Sequence, residues 1–326
     1  MTSWFTNTFL PPKADISVHF NAPYTTQSID NVPSLSVYSN GDIVNGTVTI
    51  DIKPGTSIPH NGIYVECIGE INTLHNDSIT TTPSSTITTS KKHTSTGDQF
   101  CLQKKLLCSS DILLVSRTYE FLFKNMDMEQ SSYTGTNIEL IYYVRVYIQL
   151  KNNSLIEYKQ LYRVENTCDI QSIPNSGPEP PVSMEVGIED CLHLEFNYYK
   201  TQYYLNDIFI GKIQFLLNKI KIKYMELLLI RKEIILQSNK IDMHNIVKYE
   251  LMCGNPVKNE IIPIRIFFHN YINQLTATVH NNHVFNVKYM INLVIIDDDD
   301  RRYFKQTEII LLRKSIEHIK NDSYIK

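Results

Sequence analysis

The short motifs that mark metal, redox and nucleotide chemistry are missing from this chain. Its six cysteines (Cys67, Cys101, Cys108, Cys168, Cys191, Cys253) are scattered and form no CxxC pair. That removes zinc-ribbon and thioredoxin-type sites. There is no GxSxG, no GxxxxGK[ST] and no HExxH, so nucleophile elbow, phosphate loop and zinc-protease helix are not offered. No charge of one sign dominates: the net charge is -3 over 326 residues. This gives no general attraction to nucleic acid or an anionic surface. No stretch nears the roughly 18 apolar residues of a membrane-spanning helix. The opening MTSWFTNTFLPPKADISVHF has no charged segment followed by an apolar one, so no signal peptide is read and the thiols are expected to be reduced and cytosolic. The sequons at Asn45, Asn76, Asn152 and Asn321 are then expected to stay unmodified.

What the chain has is alternation. In NIELIYYVRVYIQL, Leu140, Tyr142, Val144, Val146 and Ile148 share one face, and Arg145, Tyr147 and Gln149 the other. In KIKIKYMEL, Ile220 and Ile222 oppose Lys219, Lys221 and Lys223. Period two signals antiparallel strands with one face on a core, and 20 tyrosines suit pleated surfaces. SNGD (39–42), KPGT (53–56) and HNG (60–62) read as turns. Long runs of helical spacing are missing; one short helix is allowed near DQFCLQKKLLCSS (98–110). Short strands without intervening helices predict an all-β protein of two β-sandwich domains.

Two stretches divide the chain. From 72 to 97 it is dominated by Ser and Thr without period, which predicts a flexible surface insertion. In 172–181, SIPNSGPEPP packs Pro174, Pro178, Pro180 and Pro181 together, which predicts a stiff linker. The expected division is an N-terminal domain over 1–170, a linker over 171–183, a C-terminal domain over 184–314 and a polar tail over 315–326. The halves echo each other: Asp42-Ile43-Val44-Asn45-Gly46-Thr47-Val48 matches Asp207-Ile208-Phe209-Ile210-Gly211-Lys212-Ile213. Asn137-Ile138 and Asn286-Val287 each open a later strand. Matched order predicts two copies of one sandwich, with the shared Gly providing a bulge or a close backbone approach.

Four candidate sites need weighing. Asp297 to Asp300 fail the EF-hand pattern, because Arg301 and Arg302 stand where an acid and Gly are needed. They read as a solvated hairpin tip. His280 and His283 have metal-like spacing but no partner ligands, and a zinc site needs three or four; no metal and no cofactor is expected. Lys219, Lys221 and Lys223 are either a solvated stripe or edge protection. Leu251-Met252-Cys253-Gly254-Asn255-Pro256 puts apolar side chains at a turn. They either tuck beneath the loop or anchor a partner.

With these residues in view, the chain resembles the vacuolar protein sorting-associated protein 26 family, the arrestin-like subunit of retromer. The resemblance runs from about Val37 to Lys314. It is carried by MEVGIEDCLHLEF (184–196), IGKIQFLLNKIKIKYME (210–226), KYELMCGNPV (248–257), EIIPIRIFF (260–268) and NLVIIDDDDRRYFKQTEIILLRK (292–314). Thinner matches are GDIVNGTVTI (41–50), GIYVECIGEI (62–71) and SYTGTNIELIYYVR (132–145). Departures are the Ser/Thr-rich insertion, Cys253 and Asn255 in the loop, and a short tail. The resemblance implies two arrestin-type β-sandwiches without catalysis. It implies a cytoplasmic coat adaptor, peripheral on endosomal membranes by indirect association, that returns cargo to the Golgi. Leu251 and Met252, with Cys253 and Gly254, would dock on the α-solenoid scaffold subunit, vacuolar protein sorting 35. Val186 and Phe304 would meet a sorting nexin and the tail of a transmembrane cargo protein. The competing expectation is an arrestin-type adaptor of a retriever-like complex or a ubiquitin ligase. Ligase-recruiting arrestins carry PPxY, and PEPPVSM offers only Pro-Pro-Val-Ser.

Overall fold

The computed structural model describes residues 14–22, 24–25, 34–73, 98–168, 181–188, 190–280 and 282–314. Most of the Ser/Thr-rich insertion, the proline cluster before Pro181 and the tail after Lys314 lie outside these residues. The chain is nearly all strand among the described residues; its one 3-10 turn spans Phe268–Tyr271. It divides into two compact units, one holding the described residues up to 72 with 98–132 and 139–166, and the other holding 73, 133–138 and everything described from 167 onward.

The first unit holds β1 (Ala14–Phe20), β2 (Tyr24–Thr25), β3 (Ser36–Tyr38), β4 (Val44–Ile52), β5 (Ile58–Thr73), β6 (Asp98–Leu113) and β7 (Arg117–Phe123). After a two-residue β8 (Tyr133–Thr134), whose residues fall in the second unit, the first unit continues with β9 (Ile138–Leu150) and β10 (Leu155–Val164). Its sheets are β1-β4-β7 and β2-β3-β10-β9-β5-β6. The inward alternation on β9 is the one the sequence shows: Leu140, Tyr142, Val144, Val146 and Ile148 are all buried.

The second unit holds β11 (Val182–Ile188), β12 (Leu192–Tyr198), β13 (Gln202–Tyr204), β14 (Ile208–Asn218) and β15 (Ile222–Ile235). They are followed by β16 (Lys240–Cys253), β17 (Ile261–Phe267), β18 (Phe285–Asp297) and β19 (Arg302–Leu312). Its sheets are β11-β12-β14-β17 and β13-β19-β18-β15-β16.

These orders are the same design twice. In each unit one short strand runs parallel to the last strand: β3 beside β10, β13 beside β19. The order then continues β9-β5-β6 in one unit and β18-β15-β16 in the other. The echoing aspartates do the same work. Asp42 Oδ2 accepts the Ser39 N–H at 2.7 Å, and Asp207 Oδ2 accepts the Tyr204 N–H at 3.0 Å. Gly46 lies opposite Phe20 and Gly211 opposite Tyr198. A methyl group on Gly211 would stand 2.9 Å from the Asn197 carbonyl oxygen, and one on Gly46 closer still to that of His19. Both glycines are there for close backbone approach.

Three expectations need correction. The stretch 98–110 is strand, not helix: β6 pairs with β5 throughout. Its ladder shifts register twice, leaving Leu102 and Leu107 as extra residues. Each extra residue breaks the alternation, which is why the sequence does not read as period two there. HNG at 60–62 is not a turn but lies inside β5, with His60 fully buried. Lys219 to Lys223 do not share one strand: β14 ends at Asn218 and β15 starts at Ile222. Lys219 and Lys221 lie in the crossing between sheets.

A buried carboxylate organises part of the second unit. Glu233 is 3% exposed and stands 3.2 Å from Arg231 Nε. It also accepts the Tyr133 hydroxyl at 2.7 Å and the N–H groups of Thr136 and Asn137 at 3.0 and 3.2 Å. Such a charge is tolerated inside because its lone pairs are filled.

Candidate docking and cargo site

One end of the second unit gathers three connections: 219–221, 254–260 and 298–301. The second is held beside the start of β15, just after the first, where the Gly254 N–H donates to the Lys223 carbonyl at 2.8 Å. The third joins where the Asp298 N–H donates to the Lys221 carbonyl at 3.0 Å.

Leu251, Met252 and Cys253 are not in a turn: β16 extends through Cys253, and the chain turns at Gly254, whose φ is +96°. Only glycine adopts that conformation without strain. Opposite β15, Met252 faces Met225 and Glu250 faces Glu226, so Leu251 is an extra, bulged residue. A bulge re-aims side chains at an edge. Leu251 and Met252 are half-buried, and Cys253 is exposed. Met225 is fully buried, so Met252 lies on the core side of the strand and Cys253, opposite Tyr224, on the outer side.

The loop beyond is held rigidly. Asn255 Oδ1 accepts the Ile222 N–H at 3.1 Å and Asn218 Nδ2 at 2.8 Å. Asn218 Nδ2 also reaches the Pro256 carbonyl at 3.2 Å. Glu260 Oε2 accepts the Val257 N–H at 2.8 Å. Val257 is 68% exposed. Asn255 thus ties three segments together. The sequence shows a turn there but not its partners.

The aspartate run is a hairpin tip between β18 and β19, with one member that is not solvated. Asp297 is 4% exposed. Its Oδ1 accepts the N–H groups of Asp299 and Arg301 at 3.0 and 2.9 Å, and its Oδ2 the Tyr303 hydroxyl at 3.0 Å. Arg301 Nε stands 3.2 Å away. Burial alone would raise this carboxyl, but the donors and the guanidinium outweigh it and hold it below the usual carboxylate range. Asp300 takes the left-handed conformation at φ 58° and pairs with Lys223 at 2.6 Å.

Phe304, on β19, is 67% exposed and lies opposite Val294. Val294 belongs to a second apolar layer on the outer face of the five-stranded sheet, with Leu228, Ile230 and Ile296, flanked by Tyr224 and Met290. Tyr224 pairs with both Ile296 and Cys253. The layer therefore connects the Phe304 row to the end of β16. Its signal was legible in the unbroken apolar runs LLLI (227–230) and LVII (293–296), which mark strands buried on both faces.

Val186 is 8% exposed, opposite the fully buried Leu194. Its side chain therefore points into the core rather than outward beside Phe304. β11 is an edge strand, and among the described strands none pairs with its far side. His280 and His283 are both exposed. Among the described residues no three His, Cys, Asp or Glu side chains are grouped to hold a metal.

Two sandwiches on one strand order, joined in tandem, define an arrestin-like β-sandwich protein. The family model for vacuolar protein sorting-associated protein 26 matches residues 11–300. A protein of that name from Plasmodium falciparum is 38% identical over 283 residues, covering 86% of this chain and 87% of the relative. The Schizosaccharomyces pombe protein is 36% identical over 288 residues, covering 86% and 87%. The Drosophila melanogaster protein is 37% identical over 311 residues, covering 93% of this chain and 60% of its own length. The chain belongs to the vacuolar protein sorting-associated protein 26 family. Membership gives it a role in vacuolar and endosomal protein sorting, in a trafficking family rather than an enzyme family.

Proposed function

We propose that the protein is a non-enzymatic adaptor of a retromer-type complex, acting at endosomal membranes in retrograde transport. The end of β16 docks on an α-solenoid scaffold subunit through Leu251, Met252, Cys253 and Gly254. A sorting nexin and a cargo tail bind along β19 and the free edge of β11, with Phe304 as the side-chain contact and Val186 acting through its strand. The observation that carries this reading is the preformed apolar end of β16. Half-buried Leu251 and Met252 sit on a bulged edge strand beside a loop already fixed by Asn255, so little ordering is lost on binding.

The test is calorimetry against the scaffold subunit. A Leu251→Asp, Met252→Asn double substitution should cost on the order of 2–4 kcal/mol of binding, about 30- to 1000-fold. Because Met252 packs beside Met225, that variant also weakens folding. Cys253→Asp, on the outer face, supplies the arm that leaves the fold intact and should weaken binding at least tenfold. Binding within about threefold for both variants would sink the reading.

A further inference from the structure

One end of the first unit exposes aliphatic side chains that no core requires. Leu114 and Val115 are 66% and 62% exposed, and Ile112 and Leu155 are 47% and 54%. The connection from β6 to β7 is only residues 114–116. It is clamped on both sides: Leu113 is fully buried, and Ser116 Oγ accepts the Ile52 N–H at 3.1 Å. Adjacent branched side chains on so short a tip cannot fold back.

Two more turns reach this end. The Ile52–Ser116 bond brings the 53–56 turn alongside, closed by the Thr56 N–H to the Lys53 carbonyl at 3.1 Å. On the other side of β5, Asn61 Nδ2 donates to the Leu150 carbonyl at 3.4 Å and fixes the 151–154 turn. Asn61 follows His60, whose register partner is Asp111 on β6. Lys53, Lys151 and Arg117 are therefore neighbours of the aliphatic tip, all exposed. The nearby acids are Asp51 and Asp111; Asp111 is engaged by Arg117 at 3.3 Å. Two lysines without a salt bridge to either acid flank the tip.

We infer that this end of the first unit inserts Leu114 and Val115 into the headgroup region of an anionic lipid bilayer, with Lys53 and Lys151 against the lipid charges. A tip of two or three side chains buries far less than a specific protein interface needs, and it offers no aromatic anchor or pocket. A bilayer asks for just such a pairing of shallow apolar insertion with flanking cations. Each signal is weak alone, so the apolar insertion and the flanking cations act together on one surface. This inference does not depend on the docking reading.

The test is sedimentation of the full chain with phosphatidylcholine vesicles, with and without phosphatidylserine. The full chain should partition onto the serine-containing vesicles more strongly. Leu114→Ser with Val115→Ser should lower the partition coefficient about tenfold to a hundredfold. Lys53→Glu with Lys151→Glu should abolish the preference for anionic vesicles. As an independent readout, Val115→Trp in a Trp4→Phe background should shift its emission to the blue on the anionic vesicles. The inference is overturned if the unsubstituted chain does not sediment, if the serine variant binds as well, or if the tryptophan emission stays put.

Discussion

Gly46→Ala adds one methyl group where the β1 backbone leaves no room. Gly46 sits in the centre of the three-stranded sheet, opposite Phe20 on one side and Phe121 on the other. The added carbon would overlap the His19 carbonyl oxygen and touch the rim of the Phe121 ring at 3.0 Å. A carbonyl oxygen in a paired strand cannot rotate away as a side chain can. Relief requires β1 to peel off, which would release the buried Ala14 and Val18. Overpacking of a tight interior costs about 1–3 kcal/mol, and a backbone obstacle belongs at the upper end or beyond. The same change at Gly211 meets the Asn197 carbonyl at 2.9 Å, where a few tenths of an ångström suffice, so about 1–2 kcal/mol is expected. Differential scanning calorimetry reads both, as roughly 2–4 °C per kcal/mol for units of this size. Two units need not melt together, so Gly46→Ala should depress one transition and Gly211→Ala the other. If Gly46→Ala costs under 1 kcal/mol, or less than Gly211→Ala, close backbone approach is not the reason for this glycine.

Two further outcomes test groups whose surroundings the sequence did not show. His60 is fully buried, and neither ring nitrogen has a hydrogen-bond partner. Burial pushes its pKa down, Asp111 pulls it up, and Arg117 and Lys151 push it down again. With the folded pKa below the unfolded one, stability is fully present above about pH 6.5 and falls as the unfolded chain takes up the proton, by at most about 1.4 kcal/mol per pH unit. Denaturation midpoints between pH 7.5 and about 5 should lose this dependence in His60→Leu, and an unchanged slope would refute the assignment. At the aspartate tip, Asp297→Asn should lower the thermal midpoint, because one amide oxygen cannot accept three donors and offset Arg301, whereas Asp298→Asn should not. Equal effects at the two positions would return Asp297 to the solvated set.

The sequence by itself determined the fold class, the duplication and the family. Alternation decides which face of a strand is apolar, and D-I-x-x-G-x-[VI] survives in both halves because a turn-closing carboxylate and a missing side chain are local requirements. It also identified the aspartate run as a hairpin tip, since a charge cluster between two strands has nowhere else to go. Tertiary structure decided what depends on partners distant in sequence. Leu102 and Leu107 are bulges only against β5, so β6 could not be told from a short helix by its own pattern. The resemblance implies a contact role for Val186, and only its pairing with Leu194 shows that its side chain faces inward. Asn255 looks like any turn residue until Ile222 and Asn218 reach its side chain. Asp297 differs from its three neighbours only because Tyr303 and the Arg301 backbone converge on it. Each of these is set by which atoms a register brings within about 3 Å, the reach of a hydrogen bond, and a linear pattern does not carry that distance.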